Sequence, residues 1–269
     1  MPGAVYTLRN QQWQVPEFQY LEVFKKRSDI CVCTPTINEG ERIRTLLERM
    51  RRLHIMDAID VLIADGGSID GSLEENFLRK MGVRTLLTKL GPGKLSAQMR
   101  MAMAYGIEEG YTGFVFIDGN NKDDPEAIPR FQSKLKDGYD FVQGSRHMPG
   151  GRGINTPPSR HYGVKYLHSP LISLAARYRF TDTTNGFRGY STRLLLDPRV
   201  QPFRDVFWSY EILFYLAIRA SRLGFRVTEI PTTRAYPANQ KTPTKISPIR
   251  GSLNLLKILF QAVFIGYDP

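Results

Sequence analysis

From residue 30 onward, short apolar runs alternate with amphipathic stretches. The runs at 30–36 (ICVCTPT), 57–65 (DAIDVLIAD), 83–89 (VRTLLTK), 114–119 (FVFIDG) and 140–146 (DFVQGSR) have the length of strands. Between them, 41–53, 72–82, 94–110 and 125–138 repeat apolar residues at helical spacing. This alternation predicts an α/β fold with a mostly parallel sheet covered by helices on both faces, one half of it Rossmann-like. Residues 148–160 (MPGGRGINTPPSR) break the pattern with Gly, Pro and Arg, and read as a mobile, lid-like loop before a helix that resumes at Tyr162. A second half follows: a polar motif at 181–191, a helix at 208–224, a strand at 226–231 and an apolar helical run at 253–266. Residues 1–27 show no clear period and form an N-terminal extension, which leaves 28–250 as the main domain and 251–269 as a C-terminal amphipathic helix.

Composition narrows the classes of function. The chain has 269 residues, enough to bury a substantial core in one large domain. Lys plus Arg number 37 against 26 Asp plus Glu, a net charge of +11 that implies a polyanionic partner: nucleic acid, an anionic membrane surface or phosphorylated substrates. The charge is spread along the chain with no recognisable nucleic-acid module, so nucleic acid is set aside. The two cysteines, Cys31 and Cys33, alternate within a strand and read as small core hydrophobes in a reducing, cytoplasmic setting. No run reaches the roughly 20 apolar residues needed to cross a bilayer, and the N-terminus lacks the apolar core of a secretion signal. The run at 253–266 either packs on the domain's own core or lies in a membrane interface, with Lys241, Lys245 and Arg250 facing anionic lipid.

The chemistry concentrates where strands end. The strand at 114–119 runs into Asp118, Gly119 and Asn120, and ligands of open α/β sheets sit beyond such carboxyl ends. Asn38 and Glu39 follow the first strand and Asp65 the second, at neighbouring strand ends suited to a base and ribose hydroxyls. Asp123 and Asp124 either supplement Asp118 or cap the helix near Pro125. The four histidines show no ligand spacing, which leaves His147 a surface or hydrogen-bonding role, and Trp13 and Trp208 read as core or rim aromatics.

PTINEGERI (35–43), IADGGSIDGS (63–72), GPGKL (91–95), Asp118 with Asn120, GSR (144–146), TDTTNGFRGYS (181–191), Glu211 and EIP (229–231) occur in one order and spacing. Together they resemble the family 2 glycosyltransferases of GT-A fold, and most of all the dolichyl-phosphate mannose synthase branch, over roughly residues 28–250. The resemblance implies a nucleoside diphosphate sugar donor, held by Pro35, Asn38, Glu39, Asp65, Lys94, Asp118, Gly119 and Asn120. It implies Mg²⁺ or Mn²⁺ on Asp118 and Asn120, although Asn120 stands where the family has a second acid and adds no negative charge. Arg146 and Arg160 fall where the branch holds a lipid phosphate, while Arg234 and Lys245 follow EIP where the family keeps basic residues near the diphosphate. Asp118, Asp182 and Arg188 are the expected catalytic residues.

Two acceptor chemistries remain open. A phosphate monoester is largely ionised at neutral pH and needs only basic residues. A sugar hydroxyl, as in surface polysaccharide assembly, needs a base, for which Asp182 is available. Arg188 either borders the site or is buried against Glu211 or Glu229. A nucleotide-sugar-binding protein without catalysis is the alternative from another class. Sugar, base and oligomeric state are not readable.

Overall fold

The computed structural model describes residues 3–238 and 250–269. Lys241 and Lys245 lie outside these residues. Eleven strands occur among them: β1 (Ala4–Val5), β2 (Phe18–Glu22), β3 (Ile30–Thr36), β4 (Asp60–Asp65), β5 (Thr85–Lys89), β6 (Gly113–Phe116), β7 (Phe141–Ser145), β8 (Arg152–Ile154), β9 (Arg188–Ser191), β10 (Val227–Pro231) and β11 (Thr233–Ala235). The helices are α1 (Glu41–Arg52), α2 (Ile55–Ala58), α3 (Glu75–Met81), α4 (Leu95–Glu108), α5 (Ile128–Lys136), α6 (Pro158–Gly163), α7 (Ser169–Ala176), α8 (Thr192–Leu196), α9 (Glu211–Arg222) and α10 (Arg250–Phe260).

Nine strands form one sheet in the order β1-β2-β5-β4-β3-β6-β9-β7-β10, and β8 pairs with β11 in a second, small one. The stretch β5-β4-β3-β6 is parallel, as the unbroken apolar runs require of strands covered on both faces. The period of two divides β3 between two cores. Cys31 and Cys33 join Met99, Met103 and Tyr105 of α4 and Ile212 and Leu216 of α9 on one face. Val32 joins Ile43, Leu46, Leu47 and Met50 of α1 and Phe131 of α5 on the other.

Three features depart from the sequence pattern. Residues 18–22, within the presumed extension, pair antiparallel with β5, and Tyr6 stacks on Phe18 at 5.2 Å. The helix expected to resume at Tyr162 begins at Pro158, because proline at the first helical position has no hydrogen to leave unbonded. Strand β9 comes out of the polar motif and inserts antiparallel between β6 and β7. That insertion turns the preceding loop, 181–187, toward the end of β6.

The C-terminal run divides the same way along its length. Ile258, Leu259 and Ala262 are buried in the α9 core, whereas Leu253, Phe260 and Phe264 are exposed. No helix among the described residues is long and apolar enough to cross a membrane.

Candidate active site

The ends of β3 and β4 lie side by side, with Thr36 opposite Asp65. From α4, Gln98 Nε2 donates to the carbonyls of Thr36 and Ala64, both at 2.8 Å, and pins the two ends together. Asp65 is 3% exposed and accepts from the Ser68 amide at 3.0 Å and the Ser68 hydroxyl at 2.6 Å. Burial pushes its pKa up, against the pull of the Ser68 hydrogen bonds. Asn38, in the left-handed region at φ 45°, accepts from the Ile69 amide at 2.9 Å, and Glu39 pairs with Arg42 at 2.6 Å. The carbonyl of Pro35 accepts from the Gly119 amide at 3.1 Å, which couples this corner to the end of β6. A Cβ at Gly119 would lie 2.4 Å from Thr36 Oγ1, so only glycine allows the approach. Lys94 is exposed, and its amide donates to the Trp208 carbonyl at 2.8 Å as α4 begins. Pro35, Asn38, Glu39, Asp65 and Gly119 are thus brought together, with Lys94 on the rim.

Beyond β6 the partners are ions. Asp118 Oδ2 accepts from Asn120 Nδ2 at 3.2 Å and from Arg234 Nη2 at 3.1 Å. The other arm of Arg234 pairs with fully buried Asp123, and the backbone bridge between Asp123 and Arg234 fixes that geometry. Burial works against the Arg234 charge, but the Asp123 and Asp118 carboxylates outweigh it and keep the guanidinium protonated. Asp124 accepts from the Thr233 amide at 2.9 Å. Neither acid therefore caps the following helix with its side chain, because both are drawn across to β11. Gly186 packs directly on Asp118, where a Cβ would stand 3.0 Å from Oδ1.

Two residues that the sequence did not single out complete this corner. Lys122 is 6% exposed and stands 5.4 Å from the centre of the Tyr236 ring. Burial, then the Arg234 charge, push its pKa down. Arg160 lies 5.8 Å from the same ring and donates to the Tyr236 hydroxyl at 3.3 Å, while Arg234 lies 5.9 Å from the ring. Burial alone would raise the Tyr236 phenol, yet Arg234, Arg146 and Arg160 bring it below its usual value. An aromatic amid basic residues was the available signal, but TRAYP matched no motif closely.

Around the 181–187 loop the structure bears on the expectations for Asp182, Arg146 and Arg188. Asp182 is fully buried in a two-pronged pair with Arg146, at 2.6 Å to Nε and 2.8 Å to Nη2, and Arg146 also donates to Thr184 Oγ1 at 2.7 Å. Burial raises the Asp182 pKa, but Arg146 and its hydrogen bonds overturn that and hold it below the usual range. Asp182 is thus a poor base, and Arg146 presents only part of its guanidinium. Arg188 is 0% exposed and donates to the carbonyls of Asn185 at 2.9 Å, Thr183 at 2.7 Å and Leu213, so it ties the loop to α9. It meets neither suggested acid. Glu229 accepts from the Thr181 and Asp182 amides, and Glu211 from the Ser209 amide and the Ser96 hydroxyl. His147 stacks edgewise on His161 at 5.2 Å.

Asp118 and Asn120 are the residues here that could hold a divalent cation, with Asn120 Oδ1 also accepting from the Lys122 amide at 3.2 Å. Asp118 and Asn120 offer one carboxylate and one amide oxygen, and Mg²⁺ is often held by one or two carboxylates with substrate phosphates and water completing the shell. Among the described residues no three His, Cys, Asp or Glu side chains form a ready-made cage.

The description "Glycosyl transferase family 2" belongs to the family model that matches residues 31–197, well over half of the chain. The chain is similar to an undecaprenyl-phosphate mannosyltransferase of Micrococcus luteus, 29% identical over 205 residues that cover 74% of this chain and 80% of that protein. It is also similar to a polyprenol monophosphomannose synthase of Mycolicibacterium smegmatis (27%, covering 75% and 76%) and a dolichyl-phosphate hexose transferase of Haloferax volcanii (27%, covering 87% and 93%). Among solved structures, glucosyl-3-phosphoglycerate synthase from Mycobacterium tuberculosis in complex with Mg²⁺ and uridine diphosphate superposes with a TM-score of 0.59 at 20% identity, covering 87% of this chain and 79% of that one. At that identity the likeness shows the fold, which is GT-A. With strand order, strand-end carboxylates and family match in agreement, the chain belongs to glycosyl transferase family 2.

Proposed function

We propose that this protein moves a glycosyl group from a nucleoside diphosphate sugar to a lipid-linked phosphate, by a single inverting displacement at the cytoplasmic face of a membrane. The observation that supports this reading is the state of Asp182: the carboxylate that the sequence offers as a base is fully buried and paired with Arg146. A hydroxyl acceptor requires a base; a phosphate monoester, ionised at neutral pH, does not. The names of the three relatives, each a transferase of polyprenyl or dolichyl phosphate, agree with that choice.

In this reading Glu39 and Asp65, with Pro35 and Asn38, bind the nucleoside, and Arg160 meets the acceptor phosphate with Arg146 behind it. An acceptor phosphate oxygen forms the new bond to the anomeric carbon. The bond from that carbon to the donor's diphosphate oxygen breaks, and its electron pair leaves with the diphosphate. Asp118 and Asn120 would hold Mg²⁺ or Mn²⁺, which would supply Lewis-acid neutralisation of that departing charge. Arg234, paired with Asp118 at 3.1 Å, adds positive charge beside it for the same task.

A membrane-facing side is supported by the exposed Tyr162, Tyr166 and Leu174 between Pro158 and Ala176, with Phe260 and Phe264 on the C-terminal segment, whose residues 261–265 pack beside α7. Exposed aromatics beside basic residues suit a headgroup layer. The test is incubation with radiolabelled nucleoside diphosphate sugars and a polyprenyl phosphate. Label that moves into an organic-extractable phosphodiester, of anomeric configuration opposite to the donor's, is the expected result. Label reaching only a hydroxyl-bearing glycan, or donor binding with no transfer at all, would overturn the reading.

A further inference from the structure

Tyr236 stands where three segments meet. It follows β11 directly and is 4% exposed. Its amide donates to the Ile154 carbonyl at 3.0 Å, its carbonyl accepts from Asn155 Nδ2 at 3.2 Å, and β8 pairs with β11 up to the residue before it. The phenol is therefore fixed through its backbone to the glycine- and proline-rich stretch 148–160. Two residues earlier in the chain, Arg234 pairs with Asp118 and Asp123, and between them the Ala235 amide donates to the Lys122 carbonyl at 2.8 Å. Strand β11 thus ties the carboxylate corner beyond β6 to the stretch that ends in Arg160. There the Tyr236 hydroxyl accepts from Arg160 Nη1 at 3.3 Å, and the ring centre lies 5.8 Å from the guanidinium.

We infer that Tyr236 is a positioning residue for the acceptor: its hydroxyl and ring hold the Arg160 guanidinium, at a place set by β11, ready for the phosphate of the lipid. This inference rests on the lipid-phosphate reading above and deepens it by naming what orients that arginine. An arginine side chain has many rotamers to give up when it grips an anion, and a contact that fixes the guanidinium beforehand removes part of that cost. A bond to a neutral phenol spends one of the five donors and none of the charge. The hydroxyl acts before the bond to the anomeric carbon forms. Its contribution therefore appears in the KM of the acceptor and not in kcat.

Steady-state transfer by the full chain to undecaprenyl phosphate, from a panel of radiolabelled nucleoside diphosphate sugars, tests this when the KM values of acceptor and donor are measured separately. Tyr236→Phe keeps the ring and removes the hydroxyl. The expected result is an acceptor KM raised about fivefold, the range of one hydrogen bond, with donor KM, kcat and melting temperature nearly kept. Arg160→Gln should raise the acceptor KM about tenfold or more. Adding Tyr236→Phe to Arg160→Gln should then change that KM by less than about twofold, because the hydroxyl acts through the arginine. An unchanged acceptor KM in Tyr236→Phe, a rise of both KM values together, or additive effects in the double variant would overturn the inference and leave the lipid-phosphate reading standing. No transfer to undecaprenyl phosphate by the unaltered protein would overturn both. Should Tyr236→Phe not fold, Tyr236→His, which also lacks the phenol oxygen, takes its place with the same readouts. If neither variant folds, the hydroxyl belongs to stability and the inference falls.

Discussion

The two ends of the strand-end cleft are built differently. At the ends of β3 and β4, Asp65 is held by Ser68 and Glu39 by Arg42, each three residues along the chain, and Asn38 by the Ile69 amide of the adjoining loop. Beyond β6, carboxylates are held by arginines from other segments: Asp182 by Arg146, and Asp118 and Asp123 by Arg234, which is 116 residues from Asp118 in the chain. The contacts of Asp65 and Glu39 form with the local turn and leave a polar rim. Those beyond β6 form only when the second half of the chain closes on the first. They bury charge, so their parts are costly to remove singly.

The sharpest way to break this comparison is Arg234→Met. It leaves Asp123 buried without its partner, and a loss of about 3–5 kcal/mol is expected in denaturant unfolding. A loss under 1 kcal/mol would mean the pair is no anchor. Asp118→Asn removes the strand-end charge with little change of shape, and transfer should fall about a hundredfold with the melting temperature nearly kept. Unchanged transfer would remove Asp118 from the reaction.

A pH titration separates the two sides more gently. His168, packed on Phe214 and facing Thr183, has its pKa pushed down to about 4 by burial, with the Arg188 charge adding to it. The unfolded chain, with histidine near 6.5, binds this proton first. Stability from neutral His168 is therefore complete above about 6.5 and is lost as pH falls toward about 4. The loss, discounted for partial exposure, is about 2 kcal/mol, and His168→Gln should remove that part of the slope in melting curves. The smallest effect belongs to the ends of β3 and β4. Ser68→Ala deletes a local hydrogen bond to Asp65 and should cost about 1 kcal/mol, with weaker nucleotide binding as the accompanying readout.

The same distinction explains what could be read from the residues in order. The strands of 30–36 and 114–119 and the helices around 41–53 and 94–110 carry their period in consecutive side chains, and burial in the sheet obeys it. Strand β2 was not legible, because FQYLE carries one buried aromatic and four half-covered residues, and pairing with β5 depends on a partner more than 60 residues away. Strand β9 was hidden inside a polar motif for a related reason: its Arg188 is satisfied by carbonyls that only the folded loop and α9 present.

At the site, residue types and strand ends announced Asp118, Asp65 and Glu39, since a carboxylate that follows an apolar run must emerge at the sheet's edge. What each carboxylate faces was beyond that reasoning. Asp182 as a free base and Arg146 as an open clamp are equally good readings of isolated residues, and their mutual pairing removes the first and limits the second. Local order in the chain determines which groups reach the cleft, because periodicity and turns act over a few residues. Tertiary closure decides which of them remain charged, bonded or available, because a low-dielectric contact between segments outweighs the intrinsic preference of either side chain.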